Sequence, residues 1–184
     1  ESGITCELIF SARTAGIQEA RQTLLSGNRR VMDATRFDQF GRWSGVITHP
    51  DGVIHVDEST CLGTKDRSWG VRGVGEAEAG GAPNTPKGIC FVWAPLFWDD
   101  HVSHAIFFDG QRGEPLVREG LEAPLYETEA DIPGVEDGLV DRKLTARHRI
   151  AYHPGTRLAA SAEIDLIDLD DGIRTIKLKP ILKF

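Results

Sequence analysis

The sequence predicts an all-β protein, built as an antiparallel barrel or as a strongly bent sheet or sandwich. Three observations lead there. Apolar and polar residues alternate over strand-length stretches, turn chemistry recurs between those stretches at near-hairpin spacing, and good helical periodicity occurs nowhere. Strands that follow one another through tight turns pair with their sequence neighbours, which is the habit of antiparallel barrels and sandwiches.

Ile4 to Arg13 alternates as a strand, with Ile4, Cys6, Leu8 and Phe10 on one face. Glu19 to Leu25 reads as a short strand that turns at Ser26-Gly27-Asn28 into Arg30 to Phe37. Gly41 and Gly45 bracket Trp43; Val46 and Ile47 then run into His49-Pro50-Asp51-Gly52, a strong turn signal answered by the return strand Val53 to Asp57. Gly63 to Gly73 follows, a dense run holding Asp66, the bases Lys65, Arg67 and Arg72, the indole of Trp69 and three glycines.

Glu76 to Lys87 is a Gly/Pro/Ala-rich loop longer than most connections in a compact domain. Gly88 to Trp98 is the most apolar run and reads as a buried strand at the core. His101 to Phe108 and Glu114 to Glu122 continue the meander around the turn at Asp109 to Gly113, and Ala123 to Gly138 is irregular. Three long strands close the chain, Leu139 to Tyr152, Thr156 to Asp168 and Ile173 to Phe184, joined at His153-Pro154-Gly155 and Asp170-Asp171-Gly172. Ala160, Ala162, Ile164 and Leu166 share one face of the second; Ile176, Leu178, Leu182 and Phe184 share one of the third, which predicts one buried and one wet face.

At 184 residues the chain is expected to form one β domain, 1–184, large enough to bury roughly two-thirds of its unfolded surface. Its 28 acidic against 21 basic residues, a net charge of -7, argue against a duplex nucleic-acid binder. Cys6, Cys61 and Cys90 stand far apart, with no zinc or redox spacing, and read as buried reduced thiols in a reducing, cytoplasmic compartment. No apolar run approaches the roughly 20 residues of a membrane span. The chain opens without Met and enters strand-like sequence at once, which suits a mature or excised fragment.

The densest chemistry lies in the Gly63 to Gly73 run. Strand alternation puts Asp66, Ser68, Gly70 and Arg72 on one side and Arg67, Trp69 and Val71 on the other, so that Asp66 partners Arg72 and the Trp69 ring receives Arg67 by cation–π contact. Two readings follow: a plug of mutually neutralising charges at a barrel end, or Asp66 and Arg72 facing a cavity as acid, base or ligand anchor. His101 and His104 lie three apart, a spacing that turns strand side chains to opposite faces and speaks against a shared metal; a proton-transfer role for one of them remains open. The aromatics Trp43, Phe91, Trp93, Phe97, Trp98, Phe107 and Phe108 read as core or as the wall of a lipophilic pocket. No nucleophile elbow, phosphate loop or dinucleotide fingerprint is present, and no cofactor is expected.

Thr35-Arg36-Phe37, Phe40-Gly41-Arg42-Trp43-Ser44-Gly45 and, beyond the Asp51-Gly52 turn, Gly63-Thr64-Lys65-Asp66-Arg67-Ser68-Trp69-Gly70-Val71-Arg72 resemble the lipocalin-like half-domains of the AttH-like and carotenoid-hydratase-like (hydroxyneurosporene synthase, CrtC-like) double-domain proteins. The resemblance also touches Trp93 to Leu96 and Tyr152 to Arg157, and so covers most of the chain. It implies a lipocalin-like barrel that binds a lipophilic small molecule of isoprenoid, polyketide or fatty-acid type, with cofactor-free hydration, isomerisation or cyclisation as the expected chemistry. Asp66 would then move the proton, helped by His101 or His104, with Arg67 and Arg72 beside it and Trp43, Trp69 and Trp93 as walls. Such proteins carry two consecutive barrels and this chain has room for about one, so the resemblance admits a second lipocalin-like domain or a homodimer partner beside it. The alternative class is a non-catalytic half-domain whose motif stabilises a barrel end and an interface.

Overall fold

The computed structural model describes residues 2–71, 90–134, 136–137 and 140–182. Strands take 66% of the described residues, and the single helical element among them is the 3-10 turn Glu129–Asp131. Among the described residues no helix is long and apolar enough to cross a membrane. Neighbouring strands pair antiparallel along the central strand of the first sheet and through the closing meander, so the all-β, bent antiparallel class that the hairpin spacing predicts is what forms.

The first sheet is made by β1 (Thr5–Ala12), β2 (Ile17–Gln18), β3 (Gln22–Ser26), β4 (Arg29–His49), β5 (Gly52–Val56) and β6 (Leu62–Val71). β4 is its spine. At 21 residues it is several times the usual strand length, about 70 Å if drawn straight. Gly45 pairs with both Leu8 and Val56, Gly41 with Ala12 and Gly63, Asp38 with Ile17 and Asp66, and Ala34 with Gln22 and Gly70. One residue reaches two partners only through its two strand edges, so β1, β2 and β3 succeed one another along one edge of β4 while β5 and β6 follow along the other. The turn at Gly27, with φ +59°, and the turn ending at Gly52, with φ +152°, are the local devices that fold the flanking strands back onto the spine.

A ribbon of that length bends, and glycines sit where partner backbones come closest. Gly45 and Gly70 have φ +131° and +134°; a Cβ on Gly45 would lie 2.1 Å from the Glu7 carbonyl oxygen, and one on Gly70 would lie 2.0 Å from that of Asp33. The sequence reads Gly41 and Gly45 as brackets between separate elements. They lie instead inside one continuous strand.

The second sheet has the order β12-β11-β10-β9-β8-β7. Its strands are β7 (Cys90–Phe97), β8 (His101–Asp109), β9 (Pro115–Pro124), β10 (Arg142–Tyr152), β11 (Ala159–Asp168) and β12 (Gly172–Leu178). Ala105, Phe107, Ala146, Ile164, Leu166 and Ile176 form its buried cluster. The described residues group into two compact units, one around β1 to β6 with 97–102 and the segment after β9, the other around the remainder of the second sheet.

Several local expectations are corrected. The apolar run expected as a buried core strand forms β7, at the edge of its sheet, where Phe91 is half exposed; its first two residues, Gly88 and Ile89, lie outside the described residues. A strand at an edge is flanked on one side only. The buried strand is β8, with Val102 to Phe107 no more than 1% exposed. The face of β11 read as wet carries Asp165, buried beneath Arg147 and Arg149 at 2.6 and 2.7 Å and bonded by the Thr175 hydroxyl at 2.7 Å. β12 stops at Leu178, short of Pro180, which has no N–H for a ladder; Leu182 is exposed and Phe184 lies outside the described residues. Cys6 is exposed and Cys61 and Cys90 are half-buried, all three as thiols.

The bend glycines give a direct test. Gly45→Ala, which pushes a methyl group into the Glu7 backbone, is expected to lower stability by about 2 kcal/mol or more, whereas Gly27→Ala, with open space around it, should cost only about 1 kcal/mol. Urea denaturation of the two variants measures the difference.

Candidate functional site

Pleating sorts β4 into two faces, and Ala34, Arg36, Asp38 and Phe40 share one of them. The β1–β2 corner is fastened to that stretch. The Phe40 amide donates to the Thr14 hydroxyl at 3.0 Å, the Arg13 and Thr14 amides donate to the Phe40 carbonyl at 2.9 and 3.1 Å, and the Gln39 side-chain Nε2 donates to the Thr14 carbonyl at 3.1 Å. Thr14 itself is fully buried. These bonds set β2 so that Ile17 faces Asp38, and the Glu19 amide then donates to the Arg36 carbonyl at 3.1 Å, which brings Glu19 onto the face of Asp38.

The result is a buried pair of carboxyl groups, Glu19 at 2% and Asp38 at 0% exposure. Arg36 lies 3.5 Å from Glu19. On the other edge of β4, Asp66 stands directly opposite Asp38. Burial, followed by a hydrogen bond to Glu19 and the charges of Glu19 and Asp66, pushes the Asp38 carboxyl up to about 8, with Arg36 opposing. Since the cation lies beside Glu19, Asp38 is the partner that holds the proton and donates the hydrogen bond. A carboxyl group kept neutral at pH 7 is a proton donor in waiting.

Two residues along the same face from Asp38, Phe40 meets Phe97 edge-on at 5.9 Å. Phe97 lines a cleft of about 280 Å³ together with Arg13, Gly41, Arg42, Leu62, Trp98, Asp99 and Leu125. That volume is at the small end of ligand sites. The cleft floor is held by the Leu125 amide on the Asp100 carbonyl at 2.9 Å and the Tyr126 amide on the Arg13 carbonyl at 2.8 Å.

The residues singled out in the sequence fall in several places. Asp66 is exposed on β6 and lies on the face of Asp38. Arg67, Trp69 and Trp43 point to the opposite face of the ribbon. There Trp69 stacks on Phe37 at 5.3 Å, its diagonal neighbour across the strands, which replaces the expected Arg67 contact; the cation–π pair of this face is Lys65 over Phe10 at 4.8 Å. Trp43 packs on Phe10 at 4.9 Å and against Gly63, where a Cβ would lie 2.1 Å from its ring. Arg72, with its expected pairing to Asp66, lies outside the described residues, as does the 76–87 loop.

His101 stacks on Trp98 and its Nδ1–H donates to Asp100 at 2.6 Å, a bond that holds the Asp100 carboxyl below its usual range. In the other unit His104 is fully buried and meets Trp93 edge-to-face at 4.8 Å. Burial, with Lys143 adding to it, lowers His104 to about 4, so it is neutral at pH 7 and resists protonation.

The chain belongs to a family of unknown function (DUF8625), whose profile matches residues 1–184. No curated protein and no solved structure matches it.

Glu19, Asp38 and Arg36 form this candidate site, and no motif in the sequence marks them as a group. A usable signal was there: two ionisable residues, Arg36 and Asp38, at alternate positions between Ala34 and Phe40 in a strand-like run put charge on the face that apolar neighbours mark as inward.

The raised Asp38 carries a sign. The folded protein binds this proton more tightly than the unfolded chain, whose carboxyl titrates near ~4, so the stability it contributes is complete below about pH 4 and is lost as pH rises toward 8. Asp38→Asn, which keeps a donor toward Glu19, is expected to remove that slope, on the order of a few kcal/mol across the window, and to make the variant more stable than wild type at pH 8. Chemical denaturation at pH 4, 6 and 8 checks it.

Proposed function

We propose that this chain binds a small lipophilic molecule, isoprenoid- or polyketide-like, and uses the proton on Asp38 in a cofactor-free hydration, isomerisation or cyclisation. The observation that carries the reading is the buried Glu19–Asp38 pair, one residue step of the same strand face away from Phe40 and the aromatic cleft. The resemblance of the Gly63 to Arg72 run to the AttH-like and carotenoid-hydratase-like proteins supports the same chemical class.

The acid is assigned to Asp38, with the exposed Asp66 acting on it through its negative charge. In the reaction an alkene π pair takes the Asp38 proton to form a C–H bond, and the O–H electrons stay on the carboxylate. Water then adds to the cation and its proton returns to Asp38 for hydration; loss of a neighbouring C–H proton to the same carboxylate gives isomerisation; and for cyclisation a second double bond captures the cation, moving the charge to a new carbon, after which loss of a C–H proton beside that carbon to the Asp38 carboxylate gives the neutral ring product.

A second reading, a non-catalytic half-domain, draws on the packing of the motif: Gly63 makes room for Trp43, Gly70 admits the Asp33 backbone, and Trp69 covers Phe37. Native mass spectrometry of protein purified from its source separates the two by naming any co-purifying ligand. Incubated with that ligand in deuterated water, wild type should place deuterium on carbon, and Asp38→Asn should slow this by about a hundredfold or more. Equal rates in the two proteins would remove the catalytic half of the proposal, and source protein carrying no small molecule would favour the half-domain.

A further inference from the structure

We infer that the cleft beside Phe97 and Trp98 takes the carboxylate end of an amphipathic monoanionic acid, with Arg42 as its principal partner and Arg13 beside it. Arg42 follows Phe40 on the acid-bearing face of β4. Its Nη1 donates to the Glu58 and Ser59 carbonyls at 2.9 and 3.1 Å, which fixes the planar guanidinium against the turn before β6. Those acceptors are neutral. Among the described residues no carboxylate lies within ion-pair distance of Arg42, so a cation is anchored in the cleft wall with its charge unanswered and its other N–H groups unassigned.

Arg13 is the second cation. Its Nε donates to the Tyr126 carbonyl, and its side chain is 15% exposed, while its one acidic contact among the described residues is Glu127 at 3.7 Å, a residue 92% exposed to water. Such a pair is weak and screened. Asp99 completes the charged lining; it is exposed, and the ion pairs among the described residues join it to neither arginine. Two cations, one of them partly answered, against one acid leave charge for a single negative group and disfavour the double charge of a phosphate monoester. The planar fork of Arg42 suits a carboxylate. Leu62, Phe97, Trp98 and Leu125 supply the apolar wall, and the volume of about 280 Å³ suits a short chain or a single ring.

This assignment rests on the reading of the chain as a binder of small lipophilic molecules, and it names the polar end of the ligand. Isothermal titration of the whole chain with octanoate and with octanamide, its neutral counterpart, tests both layers. Octanoate is expected to bind at least about tenfold more tightly than octanamide; Arg42→Gln should abolish that preference while leaving octanamide affinity within about twofold, Arg42→Lys should keep part of it, and Trp98→Ala should weaken both probes. Circular dichroism identifies any variant that fails to fold, and the Lys variant then serves in place of the Gln one. Equal affinity of wild type for the two probes, or a preference that survives Arg42→Gln, overturns the carboxylate assignment and leaves the binding reading standing. Binding of neither probe by folded wild type overturns both.

Discussion

Everything in the first unit depends on one strand being hydrogen-bonded along both edges for most of its length. β4 offers its backbone to β1, β2 and β3 on one side and to β5 and β6 on the other. Because side-chain direction alternates strictly along it, every register choice made at one end fixes which side chains face inward at the other. A slip by one residue would bring Asp38 out and turn Phe37 in. The bonds around Thr14 and the bends at Gly45 and Gly70 are what hold the ribbon in the register that buries Asp38 and Phe40 together.

Within that frame, the local partner decides what each buried acid does. Asp33 and Asp38 are five residues apart on one strand and face opposite sides. Asp33 receives Arg21 and Arg30, both at 2.7 Å, with the Thr23 hydroxyl at 3.1 Å, and is held down at about 2. Asp165 in the other unit is likewise depressed, by Arg149, Thr175 and Arg147. Asp38 has Glu19 where those acids have arginine, and is driven the other way. Two acids neutralised by cations are structural fasteners; the third keeps a proton at a cost to the fold, which is the signature expected where an acid is retained for chemistry.

Much of the architecture was legible in the chain, because turns and alternation are local. The turns at 26–28 and 49–52 and the closing meander all form close to where their turn residues lie. The length of the spine was hidden by Gly41 and Gly45, which read as breaks and serve as points of close backbone approach. The dense Gly63 to Gly73 run was visible as a feature, but strand alternation alone could not tell that Trp69 would find Phe37 across the ribbon before Arg67 beside it. Glu19 and Asp38 were out of reach for a different reason. They are brought together by β2, a strand of two residues placed by a hydroxyl contact from Thr14, and no sequence pattern is long enough to announce that pairing.

The claim on which the account turns is that Asp38 holds a proton at neutral pH. A carbon-13 NMR titration of the aspartate carboxyl groups, with Asp38 assigned by its loss in Asp38→Asn, measures this directly. The Asp38 resonance is expected to titrate near 8, well above the ordinary aspartate value of about 4. An Asp38 resonance that titrates near 4 or below would contradict it.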